Sequence, residues 1–262
     1  MSAAAESKGL VNQVGYHNRF LATFTEAKRI IESGALGELY HVQGEAYGPV
    51  VLGETGRTWR TEKGRGGGCL YDYASHVINL LQYIVGSPTH VGGVVLDNIY
   101  SRHVNDAVYA TLYYGNRMRG QLSVNWSDET YRKMSTLVTF LGKTGKIIAD
   151  ATECKVYLRS DSDARDMEKG WSIKYLTDLT PQVQYYLRGE EYTLQIDHFI
   201  ECIMNRSLAN RSSFRSAQET DLVIEMLSNS ADGAPVMNSV PKHERAEKPG
   251  FWRRALNVLS GA

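Results

Sequence analysis

The sequence has no excess of charge of one sign and very little cysteine. Its 262 residues carry 29 basic and 29 acidic side chains, so the formal net charge is zero. Nucleic acids and anionic membranes select basic surfaces, and this balance argues against both as partners. The three cysteines, Cys69, Cys154 and Cys202, are far apart and show no Cys-x-x-Cys spacing. This pattern argues against a disulfide framework and a zinc site, and indicates reduced thiols in the cytoplasm.

Long apolar runs and nucleotide-binding motifs are also missing. No stretch approaches the roughly 18 apolar residues of a membrane helix, and no signal peptide is recognisable. A dinucleotide site usually needs Gly-x-Gly-x-x-Gly between a strand and a helix, where the backbone meets the pyrophosphate. The glycine cluster at 64–68 has the wrong spacing and follows a charged loop. We therefore expect the chain alone to bind no nicotinamide cofactor; Walker, HExxH and GxSxG motifs are absent too.

The order of the predicted elements indicates an α+β fold. Before residue 86 the patterns predict helices at 1–9, 20–33 and 69–85, strands at 9–14 and 38–47, and a long loop at 48–68. Seven strands follow, near 89–97, 105–114, 118–127, 135–141, 145–150, 153–159 and 171–176. Two helices come last, near 190–205 and 215–229, the second opened by a Ser216-x-x-Glu219 capping box. Strands followed by helices favour a large, mostly antiparallel sheet with helices on one face.

We divide the chain into a domain at 1–230 and a polar tail at 231–262, which includes a possible short helix near 251–259. No internal repeat or low-complexity segment interrupts the domain.

The segment 66–79 carries the residues with the clearest chemical potential. In a helix over 69–85, Asp72, His76, Asn79 and Tyr83 have the spacing i, i+4, i+7 and i+11 and share one face. A histidine can take or give a proton near pH 7, and a carboxylate can orient it, which suits the interconversion of an alcohol and a ketone. A surface pair has the same spacing, so the spacing leaves both readings open.

The loop before this helix adds a second candidate. Trp59-Arg60 lies just upstream of three consecutive glycines, which permit a sharp turn or the close approach of a ligand. The guanidinium of Arg60 could hold sugar hydroxyls, phosphates or carboxylates, or it could form a salt bridge within the loop.

These residues carry a resemblance to a known family. Three stretches, Val14 to Phe20, Gly34 to Glu38, and Trp59-Arg60 followed by Gly66 to His76, resemble the Gfo/Idh/MocA oxidoreductases. The last stretch is similar to that family's W-R…G-G-G-x-L-x-D-x-x-x-H pattern, and the likeness covers about residues 1–230. The resemblance implies an N-terminal Rossmann domain for NAD or NADP and a C-terminal α+β domain whose sheet forms the substrate wall and usually the oligomer interface.

The resemblance also implies roles for individual residues. His76 would be the acid/base at the substrate hydroxyl, with Asp72 as its partner or as a substrate ligand. Trp59 and Arg60 would lie on the substrate loop, and Tyr16 and Arg19 near the site. Asn79 stands where the family often has Asp, which puts a substrate contact at that position in doubt.

One departure from the family concerns the cofactor domain. The family's catalytic lysine lies in a Glu-Lys-Pro motif at the end of the Rossmann domain, and Met1 to Gly9 resembles the helix after that motif. Glu247-Lys248-Pro249 occurs at the far C-terminus, where we interpret it as chance or a tail loop. We expect the C-terminal domain without its Rossmann domain.

Three functions remain open. The first is the substrate-binding half of a sugar or polyol NAD(P)-dependent oxidoreductase, a probable homo-oligomer that needs a separate or missing Rossmann domain. The second is a non-catalytic sugar-binding or scaffold protein. The third, which we rank last, is a cofactor-free isomerase or lyase that uses Asp72 and His76.

Overall fold

The computed structural model describes residues 1–52, 58–115, 117–161, 167–183, 185–187 and 189–232. The strands are β1 (Leu39–Tyr47), β2 (His90–Asp97), β3 (Ala107–Tyr113), β4 (Arg119–Asn125), β5 (Ser135–Gly142), β6 (Gly145–Asp150), β7 (Glu153–Leu158) and β8 (Gly170–Tyr175). The helices are α1 (Ser2–Ser7), α2 (Ala22–Glu32), α3 (Ser75–Val85), α4 (Leu176–Leu179), α5 (Glu190–Met204) and α6 (Phe214–Asp232). A 3-10 turn at His17–Phe20 precedes α2, and a π-helical turn at Leu70–Ala74 precedes α3.

The eight strands of the described residues form one sheet in the order β2-β3-β4-β1-β5-β6-β7-β8. β1 pairs in parallel with β4, and every other neighbouring pair is antiparallel. The expected α+β fold with a large, mostly antiparallel sheet is therefore confirmed.

Alternation along the strands separates a packed face from an open face. On β1 every second residue, Val42, Gly44 and Ala46, is buried, and Val138 and Phe140 continue this face on β5. Residues of α2, α3 and α6 pack with them into one core. Burial of each large apolar side chain in such a core contributes roughly 1.5–3 kcal/mol. The remaining strand positions point to the face opposite these helices.

Close packing of α3 on β1 positions the chemically interesting helix. A Cβ atom at Gly44 would lie 2.5 Å from Cγ1 of Val77 and 3.0 Å from Cδ1 of Leu81, so only glycine lets α3 lie directly on the strand. Val77 and Leu81 are buried. Because His76 precedes Val77, this contact fixes the direction in which the imidazole projects.

The predicted strand at 9–14 is wrong. Residues 10–16 have no regular structure, and the backbone of Val14 forms hydrogen bonds with α5 and with the loop between α5 and α6 instead. The N–H of Val14 donates to the carbonyl of Ser212 at 2.9 Å, and its carbonyl accepts hydrogen bonds from Ser212 Oγ and Gln195 Nε2. A short alternating segment does not reveal that its polar groups will be satisfied by loop contacts rather than by a ladder.

The last helix begins at Phe214, one residue before the predicted start, but its predicted capping residue is wrong. Oγ of Ser213 accepts the N–H of Ser216 at 3.2 Å, so Ser213 and not Ser216 caps the helix. Two serines three residues apart offer the same capping signal, and packing selects the earlier one.

From residue 233 onward, the predicted tail lies outside the described residues. The predicted helix at 251–259 and Glu247-Lys248-Pro249 fall in that region. No helix within the part that the structure describes is long and apolar enough to cross a membrane.

Candidate active site

A cavity of about 470 Å³ lies at the start of the helix that carries Asp72 and His76. Its described walls come from residues 17–21, residues 49–50 together with Arg60, the helix start at 72–76, residues 132–136 between β4 and the start of β5, Ala151, and the start of α5 at 191–192. This volume lies in the range of pockets that hold small organic ligands. The structure thus brings Asp72, His76 and Arg60 together in one cavity, as the sequence predicted.

Asp72 and Arg60 form an ion pair in this cavity. Nε of Arg60 donates to Oδ2 of Asp72 at 2.7 Å, and the guanidinium also lies over the Trp59 ring, 4.8 Å from its centroid. The Asp72 side chain is 14% exposed and that of Arg60 is 39% exposed. Trp59 stacks against the Arg60 guanidinium and does not line the cavity. A planar guanidinium held in this way keeps further N–H groups for a ligand.

The glycines before the helix allow the close backbone packing that brings Arg60 and Asp72 together. A Cβ atom at Gly67 would lie 2.5 Å from the carbonyl oxygen of Arg60 and 2.6 Å from that of Trp59. The N–H groups of Gly67 and Gly68 donate to the carbonyls of Glu62 and Arg60, both at 3.0 Å. These donors are therefore used within the loop and do not fit a pyrophosphate cradle. The glycines let the helix start press against the Trp59-Arg60 backbone, which places Arg60 beside Asp72.

The helix does not begin as a regular α-helix. The N–H of Ala74 donates to the carbonyl of Cys69 at 2.9 Å, five residues back, and residues 70–74 form a π-helical turn. Such turns recur at functional sites because they change the direction of side chains relative to the rest of the helix. Here Asp72 lies within the π turn and His76 follows it, and both line the cavity.

His76 lines the cavity, and its imidazole is neutral at pH 7. Burial, and then the nearby charge of His17, lower the pKa of His76 from 6.5 to about 4. Its Nδ1 is buried and has no hydrogen-bond partner among the described residues. Asp72 accepts a hydrogen bond from Arg60. Among the described residues, no hydrogen bond joins Asp72 to His76. The imidazole is oriented by rings: its centroid lies 5.4 Å from that of Tyr16 and 5.2 Å from that of His17.

Arg19 and Asn79 lie behind the cavity, in a buried network. Nε of Arg19 donates to Oδ1 of Asn79 at 2.5 Å, and its Nη1 donates to the carbonyl of Arg211 at 2.6 Å. Nδ2 of Asn79 donates to Oγ1 of Thr220 at 2.9 Å, which ties α3 to α6. The Arg19 guanidinium also lies over Tyr83. Asn79 and Tyr83, predicted to share one helix face, therefore both contact Arg19. Direct contact of Arg19 or Asn79 with the substrate stays a prediction.

Tyr16 lies between two cavities. The edge of its ring meets His76, while the residue lines a neighbouring cavity of about 510 Å³ together with Asp221 and residues 1–3. Burial and the carboxylate of Asp221 raise the pKa of Tyr16, and the nearby hydroxyls of Ser75 and Thr220 oppose this. The phenol is therefore protonated at neutral pH.

Sequence reasoning missed most of the cavity wall, including His17, Asn18 and Tyr192. His17 stacks on Tyr192 with ring centroids 4.7 Å apart, which holds it against His76. Asn18 is 4% exposed, and its Nδ2 has no hydrogen-bond partner in the part of the chain that the structure describes. His17 and Asn18 lie in the stretch Val14 to Phe20, whose resemblance to the family could have indicated them as site residues. Tyr192 gives no such signal, because its role depends on α5 folding back to the cavity.

The fold is shared with oxidoreductases. Levoglucosan dehydrogenase in complex with NADH and levoglucosan superposes with a TM-score of 0.74 at 21% identity, over 88% of this chain and 66% of that protein. Residues 24–148 match the model of the GFO/IDH/MocA C-terminal domain, and this part of the chain belongs to that family. The resemblance indicated by the motifs is confirmed.

The relatives in sequence include dehydrogenases of a polyol. The scyllo-inositol 2-dehydrogenase (NADP(+)) of Bacillus subtilis (strain 168) is 30% identical over 117 residues, which is 44% of this chain and 32% of that protein. The scyllo-inositol 2-dehydrogenase (NAD(+)) of the same organism is 22% identical over 246 residues, which is 92% of this chain and 66% of that protein. The chain therefore spans between about a third and two thirds of the length of these relatives.

Proposed function

We propose that this chain is the substrate-binding half of a sugar or polyol oxidoreductase that works with NAD or NADP. The observation that carries the proposal is the convergence of His76 and the Asp72–Arg60 pair on one cavity, within a fold whose solved relatives include a complex with NADH and a sugar. We propose His76 as the acid/base, Asp72 and Arg60 as substrate ligands, and Trp59, Tyr16, Arg19 and Asn79 as residues that position them.

The chemistry needs a proton acceptor at the substrate hydroxyl. The nicotinamide supplies the hydride acceptor when it is bound. Loss of hydride from the alcohol carbon also releases the hydroxyl proton, which a neutral imidazole with a bare nitrogen can take. Burial keeps His76 neutral at pH 7, and the residue lines the cavity. Because Nδ1 is buried, Nε2 is the ring nitrogen that would take this proton. Oδ1 of Asp72 and the remaining N–H groups of Arg60 would then fix the other hydroxyls.

The nicotinamide itself would be held outside the described residues. The N–H groups of Gly66, Gly67 and Gly68 form hydrogen bonds within their own loop, which does not fit a pyrophosphate site. We therefore propose a Rossmann domain, on a separate chain or elsewhere in the polypeptide, and no turnover by this chain alone. The three cysteines are buried free thiols, which supports the cytoplasm as its compartment.

We propose further that the open face of the sheet forms a homo-oligomer interface. Trp171, Ile173 and Tyr175 on the edge strand β8 are 57%, 46% and 52% exposed, and they alternate with Lys174, which reaches Glu26 on the helical side. Such an exposed apolar patch marks an interaction surface. The same observation supports the second candidate, a sugar-binding or oligomeric scaffold without turnover.

Ligand titration of the purified chain tests the proposal. We expect scyllo-inositol or levoglucosan to shift backbone amide signals of residues 17–18, 72–76 and 132–136, and NADH and NADPH to leave all signals unchanged. His76→Ala should weaken polyol binding, and His103→Ala, an exposed histidine away from this cavity, should not. Absence of polyol binding at millimolar concentrations would contradict a substrate site, and tight binding of NADH would contradict the external cofactor domain.

Turnover separates the two candidate functions. We expect oxidation of the bound polyol only when a Rossmann domain of the same enzyme system is added, and its loss in His76→Ala with unchanged oligomer size. Polyol binding without turnover in every such combination would favour the scaffold.

A further inference from the structure

We propose that the substrate of this cavity is a polyol with one anionic group, in the first place the carboxylate of a sugar acid. The proposal rests on the proposed function and names its substrate class. The residues that carry it are Arg132 and Lys133, which line the cavity from the β4–β5 loop.

The charges around the cavity do not balance. The positive charge of Arg60 is matched by Asp72 at 2.7 Å. Within the described part of the chain, Arg132 and Lys133 form neither an ion pair nor a hydrogen bond, and Glu191 supplies the one other carboxylate of the wall. Histidines aside, the charged side chains of the described lining sum to one net positive charge. A cavity of this kind attracts an anion and disfavours a cation.

Arg132 and Lys133 stand on a well-anchored loop. At its start, the indole Nε1 of Trp126 donates to Oδ1 of the buried Asp106 at 2.8 Å. In the middle, the N–H of Asp128 donates to the carbonyl of Gly48 at 3.1 Å, and the Tyr131 ring stacks on Tyr47 with centroids 5.8 Å apart. These contacts hold the loop beside the cavity, and the exposed side chains of Arg132 and Lys133 follow directly after the stacked Tyr131.

The uncommitted groups are chiefly donors. Nδ2 of Asn18 is buried in the cavity wall and has no described acceptor. Since this nitrogen is fully buried, it would meet an acceptor of the ligand only after a rotation of the Asn18 side chain, which would relieve the cost of an unpaired buried donor. A carboxylate offers two acceptor oxygens and no donor, which matches the two cations and the amide. The hydroxyls of the same molecule would serve Asp72 and His76.

The test compares ligands of one shape and different charge on the full chain. We expect D-glucuronate to bind about fivefold more tightly than D-glucuronamide at low salt, and the difference to shrink at about 0.5 M salt. Arg132→Gln with Lys133→Gln should abolish the preference for glucuronate over glucuronamide. Arg102→Gln, an exposed arginine outside this cavity, should keep the preference. Glucose 6-phosphate against glucose shows whether a phosphate monoester is accepted as well as a carboxylate.

The outcomes separate this inference from the proposed function. Equal binding of glucuronate and glucuronamide at low salt would overturn the anionic substrate and leave a neutral polyol site. Failure of every polyol, charged or neutral, to bind would overturn both. A preference that survives the double substitution would assign the charge effect to other residues and overturn the role of Arg132 and Lys133. The salt dependence of the unchanged chain decides the charge question even if the double variant does not fold.

Discussion

The imidazole rings of His17 and His76 lie with their centroids 5.2 Å apart, and the charge of His17 lowers the pKa of His76. We therefore expect His17→Asn to raise the pKa of His76 from about 4, but not to the ordinary value of 6.5, because burial, the larger cause, remains. An NMR titration of the His76 ring protons measures this shift. An unchanged pKa in the variant would show that burial alone sets it.

The same lowered pKa predicts how stability depends on pH. In the unfolded chain His76 binds a proton below about 6.5, whereas in the folded protein it does so only near 4, so the unfolded state holds more protons in this window. The contribution of neutral His76 to stability is thus complete above pH 6.5 and is lost as the pH falls toward 4. Chemical denaturation at several pH values should show this slope, shallower in His76→Gln and unaltered in His103→Gln. An equal slope in both variants would contradict the assignment.

Gly67 and Gly64 offer a matched pair of substitutions. Gly67→Ala places a methyl group 2.5 Å from the carbonyl oxygen of Arg60, whereas nothing lies within 4 Å of a Cβ atom at Gly64. We expect Gly67→Ala to cost roughly 1–3 kcal/mol of unfolding free energy and to weaken polyol binding, because the loop must shift Arg60 away from Asp72. Gly64→Ala should change neither quantity. Equal effects of the two substitutions would contradict a steric requirement for glycine at position 67.

The ion pair itself can be tested against an exposed one. Asp72→Asn removes the charge that Arg60 contacts at 2.7 Å, whereas Glu62→Gln removes a partner 3.7 Å from Arg65. We expect a loss of about 1 kcal/mol of unfolding free energy for Asp72→Asn and about zero for Glu62→Gln, since Arg60 is partly screened and Arg65 is largely exposed. Calorimetry should also show weaker polyol binding for Asp72→Asn only. Unchanged polyol affinity would remove Asp72 from the substrate ligands.

The local patterns predicted the sheet and the main helices, because alternation and helical spacing express which face each element buries. They also predicted that Asp72 and His76 face one site, since four residues separate them on one helix. The π turn was not predictable, because its i→i+5 bond depends on Asn105, whose carbonyl accepts the N–H of Cys69 at 2.8 Å from a distant loop. The contacts of Tyr192 and Arg132 with the cavity depend on tertiary folding in the same way. The local sequence therefore indicated the acid/base candidates, but it did not indicate the other residues that line the cavity and contact the ligand.

The open face of the sheet gives the last prediction. Eight strands about 4.8 Å apart and roughly 20 Å long present a face on the order of 700–800 Å², close to the area that each partner of a stable dimer buries. Its edge carries Trp171, whose ring packs against Tyr157 at 5.3 Å, and the half-exposed Ile173. Light scattering should show a dimer or larger oligomer for the unchanged chain.

Substitution on this face should dissociate the oligomer without unfolding the subunit. Trp171→Lys with Ile173→Lys places two charges where apolar surface would be buried, and a desolvated charge without a partner is strongly unfavourable. Tyr100→Lys, at a tyrosine that is 61% exposed outside the sheet, is the control and should leave the mass unchanged. A monomeric unchanged chain at micromolar concentration, or an oligomer that tolerates both lysines, would place self-association elsewhere, because neither result is compatible with burial of Trp171 between subunits.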